Sequence, residues 1–281
     1  MSKSTTLNIN GALTDKGLSK PGYLVILAGQ SNGTDRFIMS GNLQSQYQGV
    51  QSDCYTYYKP FDNTDDNGSW QQINSGVNTG TGTPATGKFG VGVLISNRIK
   101  ALYDKTVYIL PTAVGGSFIA ADIDPTWNSG IPGYYYTRSI REHFRKAVAK
   151  LGGVDFTPVI VWVHGESDSD TLAHGNAYEA NLTALINKYR IDTGYPDLKV
   201  IITRLRSDYG GASLGLSQVR AAQLNIVANV QNVYLYDTDT ALSPLSVDGQ
   251  HYNPITNNFG GVQSAINIGN GLADLINSIL T

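Results

Sequence analysis

Cysteine is almost absent from this sequence, with Cys54 the one thiol in 281 residues. A single cysteine excludes an internal disulfide framework and any zinc site built on cysteine pairs. No histidine-containing motif lies near it, so Cys54 reads as a small inert hydrophobe. Charge is also sparse: Asp, Glu, Lys and Arg make up 15% of the chain, against about 25% in an average soluble protein. Twenty Lys and Arg stand against 22 Asp and Glu, a formal charge of −2, with no run of basic residues. The electrostatic footprint of a nucleic-acid binder is therefore missing. No stretch approaches the ~20 apolar residues of a membrane span, and Met1–Lys20 has no apolar core of a secretory leader. The expectation is a soluble protein without nucleic-acid or membrane partners, cytoplasmic by default or virion-associated if the chain is phage-encoded.

Hydrophobic residues make up 41% of the chain, enough for one large core. Tyr23–Ala28 is a short, continuous apolar run, as expected for a strand buried on both faces. Val107–Leu110, Val159–Val163, Val200–Thr203 and Val233–Tyr236 read the same way. Between them, Ile140, Phe144, Ala147, Val148 and Leu151 fall on one helix face, as do Tyr178, Leu182, Leu185, Ile186 and Tyr189. Val93–Tyr103, Val219–Val227 and Val262–Leu280 complete the helical set. Strands alternating with helices imply an α/β fold: a mostly parallel, five-stranded sheet between two helical layers. The chain is used once, so residues 21–281 are expected to form one domain, preceded by an arm over 1–20 with an edge strand at Leu7–Ile9. Residues 37–88, rich in Gly, Asn, Ser, Thr and Gln, read as a long loop insertion in which Tyr55, Tyr57, Tyr58 and Trp70 could form a small ribbon.

In an open parallel sheet, ligands bind beyond the carboxyl ends of the strands. Those positions hold Gly29-Gln30-Ser31-Asn32, Gly115-Gly116-Ser117, His164-Gly165-Glu166-Ser167-Asp168 and Asp248-Gly249-Gln250-His251. A serine hydroxyl is a poor nucleophile until a base removes its proton, and that base needs an orienting acid. Ser31 lies on a strand-to-loop turn, and Asp248 and His251 can supply acid and base from one short loop. Taken alone, a serine after a strand is more often a turn residue or a helix cap.

Taken together, the segments resemble a known family. Gly29-Gln30-Ser31-Asn32 resembles the first block of the SGNH hydrolases, in the branch of sialate O-acetylesterases and family 6 carbohydrate esterases. Val114-Gly115-Gly116-Ser117, with Ile119 and Trp127, is similar to the second block. Trp162-Val163-His164-Gly165-Glu166-Ser167-Asp168 resembles the branch's Trp-x-Gln-Gly-Glu-x-Asp block, and Val219-Arg220-Ala221-Ala222-Gln223 its Val-Arg-x-x-Gln helix. Asp248-Gly249-Gln250-His251 is similar to its closing Asp-x-x-His, and the blocks follow in family order. The resemblance implies an α/β/α sandwich, no metal or other cofactor, and hydrolysis of O-acetyl esters, commonly on sugars. It makes Ser31 the nucleophile, His251 the general base and Asp248 the orienting acid, with the N–H groups of Ser31 and Gly116 binding the oxyanion. A third donor in the family is the Gln before Gly-Glu; His164 stands there, and is expected to donate in its place.

Gln30, Glu166 and Arg220 are expected to support the site. Glu166 could serve as an alternative acid for His251, but pairing with Arg220 is preferred, because burying either charge alone is costly. Asp168 reads as a cap on the following segment, and His143 and His174 as solvated. His164, Glu166 and His174 repeat no usual ligand spacing, so no metal site is expected. Trp127 and Tyr135, with Tyr134 and Tyr136 beside it, would either stack on sugar rings or pack over the sheet. The leading reading is an acetylesterase whose partner is an O-acetylated glycan, with oligomeric state left open. One alternative keeps the triad and makes the chain a lipase or thioesterase; the polar 37–88 segment argues against a lipid channel. Another is a virion tail or surface glycan-binding module with secondary deacetylase activity.

Overall fold

The structure, a computed structural model, describes residues 20–34, 37–38, 44–58, 68–79, 88–123, 126–128, 134–211, 213–241, 249–252 and 259–281. The expected edge strand at Leu7–Ile9 lies outside them. The strands are β1 (Gly22–Gly29), β2 (Phe37–Ile38), β3 (Gly49–Tyr58), β4 (Ser69–Ser75), β5 (Lys88–Phe89), β6 (Thr106–Pro111), β7 (Phe156–Val163), β8 (Lys199–Thr203) and β9 (Val233–Tyr236). The helices are α1 (Val91–Tyr103), α2 (Tyr134–Thr137), α3 (Arg145–Lys150), α4 (Leu172–Thr193), α5 (Leu216–Asn229) and α6 (Phe259–Leu280). A π-helical segment, Arg138–Phe144, joins α2 to α3.

Among the described residues, seven strands form one sheet in the order β4-β3-β6-β1-β7-β8-β9, and β2 pairs with β5 in a separate antiparallel ribbon. The five expected strands are β1, β6, β7, β8 and β9, adjacent and parallel. The other two correct the expected count. Within the 37–88 segment, Cys54, Tyr55 and Tyr57 are buried, and β3 adds to the sheet beside β6 in parallel register, Cys54 against Val107 and Tyr55 against Tyr108. β4 then pairs antiparallel with β3. Tyr55 stacks on Tyr108 with ring centroids 5.5 Å apart, and the Trp70 indole N–H donates to the Ala147 carbonyl at 2.8 Å. Aromatic burial thus fixes these strands where aliphatic runs fix the central ones.

Along β1, Leu24, Ile26 and Ala28 face one helical layer, with Tyr178, Leu182 and Leu185 of α4 and Val219 of α5. Tyr23, Val25 and Leu27 face the other, with Leu94 and Ile95 of α1 and Leu272 and Ile276 of α6. Both faces of the central strand are dry, which is why its sequence shows no polar alternation. His143 is a correction: it is buried in the π-helical segment rather than solvated. Among the described residues no helix is long and apolar enough to cross a membrane. The parallel strands place β6 and β7 on opposite sides of β1, so the chain reverses direction across the sheet there. Crevices for ligands open at such a switch point, beyond the carboxyl ends of the strands.

Candidate active site

The end of β1 is pressed against the end of β7. Gly29 has φ of +113°, and a Cβ there would stand 2.1 Å from the Val163 carbonyl oxygen, so only glycine fits. The next amide, Gln30 N–H, donates to that same carbonyl at 2.7 Å. The chain then closes a 3-10 turn, Ser31–Gly33, in which the Thr34 hydroxyl donates to the Ser31 carbonyl at 2.7 Å. Gln30 and Asn32 are buried while Ser31 is partly exposed. The turn therefore presents one hydroxyl to solvent from a fixed backbone.

His251 Nε2 lies 3.0 Å from Ser31 Oγ. Its short segment is tied from three sides. Gly210 N–H donates to the Gly249 carbonyl at 3.0 Å, Asn32 Nδ2 donates to the Gln250 carbonyl at 3.1 Å, and Tyr252 N–H donates to Asn32 Oδ1 at 3.1 Å. Asn32 was visible in the sequence only as a letter of the first block; its bonds to a segment more than two hundred residues away carry no local signal. Asp248, the expected orienting acid, lies outside the described residues.

Glu166 accepts from Asn32 Nδ2 at 2.7 Å rather than from Arg220. Arg220 stands beside the loops that follow β8 and β9. It donates to the Leu205 carbonyl and, at 2.9 Å, to Asp239, so the carboxylate it meets is not the expected one. Burial pushes the Glu166 carboxyl above the usual range, and the bond from Asn32 partly opposes that. Gln30 Oε1 accepts from Ser167 N–H at 3.3 Å.

The loop after β6 is held from beneath. Gly116 has φ of +68°. The Ser117 hydroxyl donates to the Val114 carbonyl at 2.7 Å and accepts from the Trp127 indole N–H at 2.8 Å. The Ser117 carbonyl lies 3.1 Å from His164 Nε2. His164 is sandwiched between Trp162, at a centroid distance of 4.8 Å, and Tyr178, at 5.8 Å. Full burial pushes its pKa down to about 3, so the ring is neutral and Nε2 carries the proton given to Ser117. Its Nδ1 lies 3.4 Å from the Tyr178 hydroxyl. With both nitrogens engaged below the loop, His164 is not placed as the third oxyanion donor expected of it.

Two further expectations, for Asp168 and His174, are corrected, and of the two readings of Trp127 and Tyr135 the geometry matches packing. Asp168 does not cap the next helix; Thr171 does, accepting from His174 N–H at 3.2 Å. Asp168 instead accepts from Ile119 N–H at 2.9 Å, fastening the same loop. Trp127 is fully buried and Tyr135 packs against it at 5.9 Å, because the loop needs an indole donor beneath Ser117. Neither faces the cavity. His174 is not simply solvated, since Asp170 lies 2.6 Å from its Nδ1.

A cavity of about 270 Å³ opens over Ser31 and His251, lined also by Gln30, Gly115, Gly116, Glu166, Ser167, Tyr209 and Gln250. Tyr209 is the aromatic ring that the sequence did not single out. Among the described residues, no group of three or more His, Cys, Asp or Glu is disposed to hold a metal ion. A hydroxyl and an imidazole in hydrogen-bond contact at a cavity wall have the geometry needed for base-assisted attack on a carbonyl.

The mostly parallel sheet between helical layers is consistent with an SGNH-like sandwich, and the cavity lies at its switch point. The chain belongs to the family described as carbohydrate esterase, sialic acid-specific acetylesterase, whose profile matches residues 21–273. It is accordingly an esterase of the carbohydrate-acting class. A solved protein from Arabidopsis thaliana is similar at 22% identity over 92% of this chain and 98% of its own, with a TM-score of 0.69. NanS is similar at 14% identity over 93% of this chain and 98% of its own, with a TM-score of 0.63. A carbohydrate acetylesterase from Xanthomonas citri is similar at 16% identity over 90% of this chain and 55% of its own, with a TM-score of 0.57. At these identities the likenesses speak to the fold. No curated protein matches the chain.

Proposed function

We propose that the protein removes O-acetyl groups from a carbohydrate through an acetyl-enzyme on Ser31, with His251 as general base and Asp248 as the acid that orients it. The observation that carries this reading is the 3.0 Å contact between His251 Nε2 and Ser31 Oγ at the wall of the cavity. Ser31 Oγ attacks the acetyl carbonyl carbon as His251 Nε2 takes its proton. The carbonyl oxygen becomes an oxyanion that the N–H groups of Ser31 and Gly116 receive. Collapse breaks the bond to the sugar oxygen, which leaves with the proton from His251. Water then attacks the acetyl-enzyme, again deprotonated by His251, and acetate departs as Ser31 regains its proton.

The size of the cavity supports a short acyl group, and Tyr209 adds an aromatic residue to its otherwise polar lining. The test is a small acetate ester with wild type and Ser31→Ala. Acetate release by the first and its loss in a folded second are expected; equal turnover by both would refute the assignment.

A further inference from the structure

We infer that Asn32 is the positioning residue that sets His251 against Ser31, by clasping the two peptide groups on either side of His251 at once. The inference rests on the reading of Ser31 and His251 as nucleophile and base. Asn32 follows Ser31 directly, so whatever its side chain grips is registered to the nucleophile. Its Nδ2 donates to the Gln250 carbonyl at 3.1 Å, and its Oδ1 accepts from Tyr252 N–H at 3.1 Å. Those two atoms belong to the residues immediately before and after His251. The second proton on Nδ2 goes to Glu166 Oε1 at 2.7 Å, so only one orientation of the amide satisfies all three partners.

The alternatives at this position are poor. A serine or threonine hydroxyl is too short to span both peptide groups. Glutamine is one methylene longer and would displace the segment. Aspartate would accept from Tyr252 N–H but would turn a like charge on Glu166 and lose the bond to Gln250. Gly210 N–H grips the segment one residue earlier, at the Gly249 carbonyl, and Tyr252 anchors it through a buried side chain, so the two atoms that Asn32 holds are different from those. Asn32 itself is 1% exposed, so its partners are not exchanged for water.

Steady-state turnover of a small acetate ester, and labelling of Ser31 by a fluorophosphonate, would be measured for Asn32→Ala and Asn32→Asp across a pH series, with Ser31→Ala and His251→Ala as controls and circular dichroism as a check of folding. Displacing the base by about 1 Å is expected to cost Asn32→Ala about 100-fold in kcat and in labelling rate, with KM within about threefold. Asn32→Asp should lose activity as pH rises, because the introduced carboxylate and Glu166 can share a proton only in acid. A folded Asn32→Ala with wild-type kcat and labelling would overturn the inference. Should that variant not fold, an Asn32→Asp pH profile parallel to wild type would overturn it instead. If Ser31→Ala or His251→Ala keeps turnover, the functional reading fails; if both are inactive and Asn32→Ala turns over like wild type, the positioning role alone fails.

Discussion

Single side chains carry the sharpest consequences. In the proposed mechanism, Ser31→Ala removes the nucleophile and should lower turnover by ~10⁴-fold or more while leaving the fold intact. His164 is held to a different standard, because its proton goes to the Ser117 carbonyl. His164→Gln can still donate there and should keep most of the activity. His164→Ala leaves that buried carbonyl unpaired, which costs about 1–3 kcal/mol of stability, measured by denaturant unfolding. Equal stability of the two variants would contradict the assigned hydrogen bond. Cys54 gives a chemical check: burial pushes its thiol up to about 12, so it should resist a thiol reagent at neutral pH until the protein is unfolded. The serine and histidine were legible because short motifs mark them. The fate of His164 was not, since only the folded chain brings the Ser117 carbonyl over its ring.

At the scale of elements, the loop after β6 rests on a buried acid and a buried imidazole, Asp168 and His164, 3.7 Å apart. Burial pushes the Asp168 carboxyl up to about 7. Between its unfolded value of about 3.9 and that value, the folded state holds a proton that the unfolded chain has released. Its contribution to stability is therefore fully present in acid and is lost as pH rises through about 7. His164, pushed down to about 3, acts in the opposite sense: stability is lost as pH falls from about 6.5 through that value. Asp168→Asn can still accept from Ile119 N–H, so it should reduce the loss on the alkaline side, to which buried Glu166 also contributes, while keeping the acid-side loss. Unfolding free energies between about pH 4 and pH 8 would check this, and an unchanged slope would contradict it. The same scale shows what the sequence concealed. Central strands buried on both faces announce themselves as apolar runs, as β1 and β7 do. β3 and β4 mix Gln, Ser and Asn with buried rings and include a register shift between Val50 and Tyr55, so neither simple alternation nor an apolar run marks them.

For the molecule as a whole, the sheet fixes where chemistry can happen and the cavity limits what enters. Loops after β1, β6, β7 and β8 meet the His251 segment at one switch point. That convergence was readable from the order of the motifs, whereas the cavity's lining, with Tyr209 from a loop that bears no motif, was not. A cavity of about 270 Å³ lined by Gln, Ser, Glu and Gly suits an acetyl group on a hydroxylated ring better than a long acyl chain. The central claim is glycan deacetylation through Ser31, and the most direct measurement is acetate release by wild type and Ser31→Ala from acetylated xylan, O-acetylated sialoglycans and acetylated bacterial polysaccharides, with a long-chain ester as contrast. The account predicts acetate from at least one of these glycans, little turnover of the long-chain ester, and no release by the variant. Release that survives in Ser31→Ala, or a wild type that cleaves the long-chain ester and none of the glycans, would contradict it.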